Sequence, residues 1–219
     1  MARLKRVVMP AVPHLVTQRG NRGQVVFLAE GDYTLYRDLL AARCRACDVA
    51  VWSYCLMPNH VHLILVPERE DGLRLAVGET HRRYTAFINA RARQTGHLFQ
   101  GRFASVAMDG PYLALAARYV ALNPVRARLV ARTEDWPWSS VRAHLAGRDD
   151  ALVQVRPLLD RLPAFAALLE AAADDPAFAA LRHAEGTGRP LGSKAFFDDL
   201  EARLDRDLSP QKRGPKPRK

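Results

Sequence analysis

His60-Val61-His62 places two imidazoles one residue apart in HVHLILV, a run that reads as a β-strand. Side chains at i and i+2 of a strand share a face, and two imidazoles side by side on a rigid element can hold a metal ion. With seven His in the chain, the spacing has a plain alternative, two polar residues on an exposed strand face. The apolar neighbours Leu63, Ile64 and Leu65 read as core and favour ligation. Tyr119 and Asn123 stand four apart in a helical segment that stops at Asn123-Pro124, so they share a helix face. A carboxamide oxygen at a helix end is free to turn toward a metal. A phenol, weak at neutral pH, can act as a nucleophile beside a divalent cation and basic groups. The alternative is a core tyrosine followed by an Asn helix stop. Tyr84 has Ile88 four residues on, Tyr112 begins a helix, and Tyr54 precedes the His strand in an apolar run. Among these four tyrosines, Tyr119 is the one whose i+4 neighbour can ligate.

The formal net charge of +10 points first to a polyanionic partner, and the charge is patchy. Arg82, Arg83, Arg91, Arg93 and Arg102 fall between His81 and Arg102 with no acid among them, and the stretch from Ser209 to Lys219, with Lys212 and Arg213, is basic and Pro-rich. From Asp149 to Asp207 the chain is close to balanced. Patches suit phosphate contacts, whereas solubility alone would be served equally by acids. Trp52, Phe99 and Trp138 can stack on bases or pack in a core. Cys44, Cys47 and Cys55 are too few and too odd in number for a disulfide scaffold, and Cys44-x-x-Cys47 has no second pair to complete a zinc site. No apolar run reaches the length of a membrane span, and MARLKRVVMPAVPH is broken by two prolines rather than carrying a signal-peptide core. The expectation is a cytoplasmic, nucleoid-associated protein with no membrane partner.

The elements that must position these residues follow from periodicity. His14 to Gln18 reads as a strand, and RGNRG after it as a loop. Asp32 to Cys47 carries apolar residues at helical spacing. Asp48 to Leu56 and His60 to Val66 are β-type runs around Met57-Pro58-Asn59, a hairpin turn. Leu73 to Gln94 reads as a helix, His97 to Met108 as a strand region interrupted at Gly101, and Pro111 to Leu122 as a helix. The order β-α-β-β-α-β-α implies an α+β sandwich, ferredoxin-like, with an antiparallel sheet. Asp135-Trp136-Pro137-Trp138 and Ser139-Ser140 close this unit by about Leu145. From Leu158 the pattern turns Ala- and Leu-rich: Phe165 to Ala173, Pro176 to His183 and Lys194 to Leu204 read as a small C-terminal helical extension. The expected organisation is a domain over 1–147, a helical accessory region over 148–208, and a basic tail over 209–219, disordered until it meets nucleic acid. GTGRPLG, from Gly186 to Gly192, follows a helix rather than a strand and lacks the Walker order, so it is no nucleotide loop.

Four strings occur in order: Met57 to Ile64 (MPNHVHLI), Gly96 to Phe103 (GHLFQGRF), Arg118 to Ala127 (RYVALNPVRA), and Trp136 to Ser140 (WPWSS). Together they resemble the single-tyrosine HUH transposases, insertion-sequence-type enzymes, and especially the REP-associated tyrosine transposase branch. The resemblance covers roughly His14 to Leu145. It implies a ferredoxin-like fold with both His on a central strand. It further implies Mg²⁺ or Mn²⁺ bound by His60 and His62, with Asn123 completing the site. Tyr119 would attack a phosphate of single-stranded DNA, often beside a hairpin, leaving a 5′-phosphotyrosine and a free 3′-hydroxyl. Relatives of this kind work as monomers or homodimers.

Two other functions fit parts of this pattern. One is a non-catalytic DNA-binding regulator derived from such a transposase, against which the intact His60, His62, Tyr119 and Asn123 set argues. The other is a metal-dependent phosphodiesterase that uses water, with Tyr119 structural.

Overall fold

In a computed structural model, which describes residues 6–170 and 172–208, four strands form one antiparallel sheet in the order β2-β3-β1-β4. They are His14–Arg19 (β1), Val49–Met57 (β2), His60–Pro67 (β3) and Ala104–Ala107 (β4). Glu30–Ala46 (α1) joins β1 to β2, Glu79–Ala92 (α2) joins β3 to β4, and Gly110–Ala121 (α3) follows β4. The element order is the expected one, and the fold is the ferredoxin-like α+β sandwich.

β2 and β3 are mostly apolar and buried, and the Pro58-Asn59 turn pairs Met57 with His60. β3 then bonds β1 along its other edge, with His62 opposite Thr17 and His60 opposite Arg19. The two sheet faces divide as strand alternation requires. Val61, Leu63 and Leu65 face a cluster with Tyr36 and Leu40 of α1 and Tyr84 and Ile88 of α2. Ile64 and Val66 face the other way, with Leu15 and Val106, against Leu113, Ala116, Ala117 and Val120 of α3. His60 and His62 belong to the second face by the same alternation.

Two elements differ from expectation. The strand read over His97 to Met108 shortens to Ala104–Ala107, because Gly96 (φ 106°) and Gly101 (φ 62°) take backbone conformations that turn the chain instead of extending it. The helix read from Leu73 begins as a π-helical turn, Arg74–Gly78, before α2.

The C-terminal segment forms short helices: Asn123–Arg126 (α4), Val141–Ala146 (α5), Arg156–Leu159 (α6), Phe165–Glu170 (α7), Phe178–Thr187 (α8) and Lys194–Leu204 (α9). Phe165, Phe178, Leu181 and Ala184 are buried in the same cluster as α3. This segment also covers both sheet edges. Leu56 donates its N–H to the Trp138 carbonyl (2.8 Å), and Ser140 donates to the Tyr54 carbonyl (3.0 Å), along the outer side of β2. Leu191 donates to the Ala107 carbonyl (2.9 Å) and its own carbonyl accepts from Asp109 (3.1 Å), along β4. Such cover removes the open edges that invite pairing with other chains. Among the described residues, no helix is long and apolar enough to cross a membrane. Lys212 and Arg213, and the tail to which they belong, lie outside the described residues.

His14, His81 and His144 are buried and held neutral. Burial lowers His14 to about 4, against a weaker opposing bond to the Val12 carbonyl, and lowers His81 to about 3. The unfolded chain therefore takes up protons first as pH falls below 6.5, and stability drops from there toward 4. Each such group removes about 1.4 kcal/mol per pH unit. The thermal midpoint is expected to fall by about 10 °C between pH 7 and pH 5, and His81→Gln should flatten that slope. A melting profile level over this range would contradict the assignment of neutral buried imidazoles.

Candidate active site

The site is built where β3 meets the end of α3. His60 and His62 stand with their ring centroids 4.8 Å apart, nearly perpendicular. The Tyr119 ring packs edge-on to His62 at 5.2 Å, and Phe178 of α8 backs it at 5.2 Å. Asn123, 7% exposed, sits at the break between α3 and α4, where Pro124 cannot supply the N–H that would continue α3. The Asn123 amide donates to the Tyr119 carbonyl at 3.4 Å, and its side chain lies close enough to His60 to oppose the effect of burial on that ring. β3, the end of α3 and the start of α4 thus bring the four residues together.

The tautomer of His60 follows from its neighbours. Asn59 donates its amide N–H to the Gly23 carbonyl (3.1 Å), so its oxygen is the atom facing His60 Nδ1 at 2.6 Å. That oxygen can only accept, hence Nδ1 carries the hydrogen and Nε2 keeps its lone pair. The loop supplying the Gly23 carbonyl needs glycine at position 20, where a Cβ would lie 2.2 Å from the Gln24 carbonyl oxygen. His60 Nε2 thus keeps a lone pair, and the Asn123 side chain lies beside the same ring, two groups of the kind that can ligate a cation. Burial, then the nearby Arg19 charge, lowers His60 to about 4 against the raising effect of Asn123. Burial lowers His62 well below the usual imidazole range, helped by His60, Arg126 and Arg19. Both rings are neutral at physiological pH, the state a metal ligand requires. Among the described residues, no three His, Cys, Asp or Glu side chains are grouped to hold a metal. The donor set that fits one is therefore two imidazoles with a carboxamide.

Burial raises Tyr119 above the ordinary phenol value, with a further push from the Glu185 charge; Arg126 and Arg182 oppose both. The Arg126 guanidinium lies 4.9 Å over the Tyr119 ring. A cleft of about 550 Å³ opens onto this constellation, lined by Thr17, Gln18, Arg19, His60, His62, Gln100, Arg102, Ala104, Tyr119, Arg182, Glu185 and Gly186.

The arginines expected on the DNA divide. Arg102 lines the cleft. Arg82, Arg83 and Arg91 belong to α2, in the layer over the opposite sheet face, and Arg93 caps its end. Arg82 and Arg83 both donate to Glu79 at 2.8 Å. Arg91 grips Asp32 with both arms, at 2.5 and 2.8 Å. Asp32 is 1% exposed and also accepts from the Leu28 and Ala29 N–H groups at the start of α1. Trp138 stacks on Tyr33 (4.7 Å), Phe99 packs on His81 (4.5 Å), and Trp52 lies under Arg161 (4.6 Å). The other tyrosines are committed elsewhere: Tyr84 donates to the Val26 carbonyl (2.7 Å) and Tyr54 to Asp150 (2.6 Å), while Tyr112 packs against the α3 cluster. Arg19, Gln100, Arg182 and Glu185 were missed in the sequence. Gln100 lies inside the GHLFQGRF string, and Arg19 precedes the glycine loop, which are local signals. Nothing local marks Arg182 or Glu185.

Residues 8–123, more than half of the chain, match the family described as IS200-like transposases. The chain belongs to this family. The matched segment of the IS200-like transposase ends at Asn123, so Arg126, Arg182 and Glu185 lie beyond it. A protein of Haemophilus influenzae assigned as a REP-associated tyrosine transposase is 25% identical over 116 residues, which span 48% of this chain and 66%, just under two thirds, of that protein. The solved structure of a REP-associated tyrosine transposase bound to a REP hairpin superposes with a TM-score of 0.57 at 22% identity, over 69% of this chain and 90% of that one. That likeness is one of fold.

Removing Arg91 should cost stability. Arg91→Ala leaves the Asp32 carboxylate enclosed without its guanidinium, and the urea midpoint is expected to fall. A urea midpoint equal to that of the wild type would show that the pair is not structural.

Proposed function

We propose that this protein is a metal-dependent single-stranded DNA transesterase that cleaves and rejoins DNA through a 5′-phosphotyrosine on Tyr119. The observation that carries this reading is that His60, His62 and Tyr119 line one cleft, with Asn123 beside them. His60 Nε2, His62 and the Asn123 oxygen would hold Mg²⁺ or Mn²⁺. Bound there, the ion would polarise the scissile phosphate and stabilise the charge that develops on it.

Tyr119 gives up its hydroxyl proton and its oxygen bonds to phosphorus; the bond from phosphorus to the 3′-oxygen breaks, and that oxygen takes a proton. One phosphate ester replaces another, so rejoining by the reverse step needs no external energy. Arg126, over the ring, offsets the effect of burial and favours the phenolate. Arg19, Arg102 and Arg182 surround the cleft with positive charge suited to phosphates. The DNA partner is a single strand beside a hairpin. The fold shared with a transposase whose structure holds a REP hairpin supports this, as does the net charge.

Incubation with a labelled hairpin oligonucleotide and Mn²⁺ should yield a covalent complex that survives SDS. Tyr119→Phe should abolish it, and EDTA should abolish cleavage while leaving DNA binding. Full adduct formation by Tyr119→Phe would refute the assignment of the nucleophile. Cleaved product without any adduct would favour attack by water.

A further inference from the structure

His62 Nδ1 on β3 and Glu185 Oε1 on α8 face each other at 3.8 Å. Both atoms are enclosed, and neither makes a hydrogen bond. Enclosed polar atoms are ordinarily paired, so two that oppose each other define a contact one small adjustment from closing. The same relation is already closed at the neighbouring imidazole, where the Asn59 oxygen holds His60 Nδ1 at 2.6 Å. In each case an oxygen stands behind Nδ1.

The chemistry has one direction. A carboxylate only accepts, so an imidazole bonded to it presents N–H at Nδ1. The lone pair is then on Nε2, across the ring. Oxygen partners behind ligating histidines fix the tautomer and ring orientation and raise the basicity of the donor nitrogen. Glu185 is anchored for this task. Its helix buries Phe178, Leu181 and Ala184 against α3; burial raises the Glu185 carboxyl to about 7, and Arg182 and Arg126 pull the other way, toward the charged form. Its Oε1 faces Nδ1 of His62, so its place is behind the ring.

We propose that Glu185 is a positioning residue for His62, its carboxylate accepting the Nδ1 hydrogen so that Nε2 is the atom offered to the cation. This rests on the metal-site reading above, and it makes a helix beyond the family-matched segment part of the site.

Ring nitrogen shifts of ¹⁵N-histidine-labelled, metal-free protein report the tautomer directly. Wild-type His62 is expected in the Nδ1–H form. Glu185→Met, close in shape but without an acceptor, should move it toward Nε2–H, and Glu185→Gln, which keeps an oxygen, should hold the wild-type form. Mn²⁺ titration followed by electron paramagnetic resonance should show about 10- to 100-fold weaker binding for Glu185→Met. Glu185→Ala serves if the Met variant does not fold. Wild-type tautomer and wild-type Mn²⁺ affinity in the acceptor-free variant would overturn the proposal. Failure of the metal reading looks different: wild-type protein would bind no Mn²⁺, or His62→Ala would bind it equally well, while the ring shifts still decide the Glu185 contact.

Discussion

β3 is hydrogen-bonded along both edges, to β2 on one side and β1 on the other, and this fixes its register. A slip by one residue would turn Leu63 and Leu65 out of one core and push Ile64 and Val66 out of the other, so the penalty is shared by both faces. His60 and His62 are carried by that constraint. They face α3 because the apolar residues around them leave no alternative. The hairpin turn then sets Asn59 beside His60, and the glycine loop after β1 holds Asn59.

The second half of the site depends on where α3 ends. Pro124 stops the helix one residue after Asn123, and the chain kinks into α4, which brings Arg126 over Tyr119. α3 is pressed to the sheet by Ala116, Ala117 and Val120, small residues that let helix and strand approach closely. Tyr119 and Asn123 reach β3 as a consequence. The C-terminal segment bears on the same place: α8 buries its apolar side against α3 and turns Arg182 and Glu185 into the cleft. The flanking segments at 138–140 and 191 lie along the sheet edges. The extension read from sequence as accessory is thus packed into the core and lines the site.

What was legible in the sequence was periodic or local. The i, i+2 spacing of His60 and His62 and the i, i+4 spacing of Tyr119 and Asn123 survive into three dimensions because each pair rides on one regular element. The β-α-β-β-α-β-α order was legible because its apolar periods are clear. The long strand expected from His97 failed at Gly96 and Gly101, where the backbone turns although Leu98 and Phe99 between them are apolar. Contacts between distant segments left no mark. Arg91 reads as one of a run of free cations until α1 and α2 pack and Asp32 meets it. Glu185 falls outside the helix read over Pro176 to His183, and only the burial of Phe178 and Leu181 by the longer α8 turns it toward His62.

The central claim is that β3 and α3 place two imidazoles, a carboxamide and a phenol around a single cation. Anomalous diffraction from crystals soaked in Mn²⁺ tests it most directly. The account predicts one strong peak between His60 Nε2, His62 and the Asn123 oxygen, on the side of the Tyr119 hydroxyl. A peak bound elsewhere, or none at that point while the crystals hold Mn²⁺ at other sites, would contradict it.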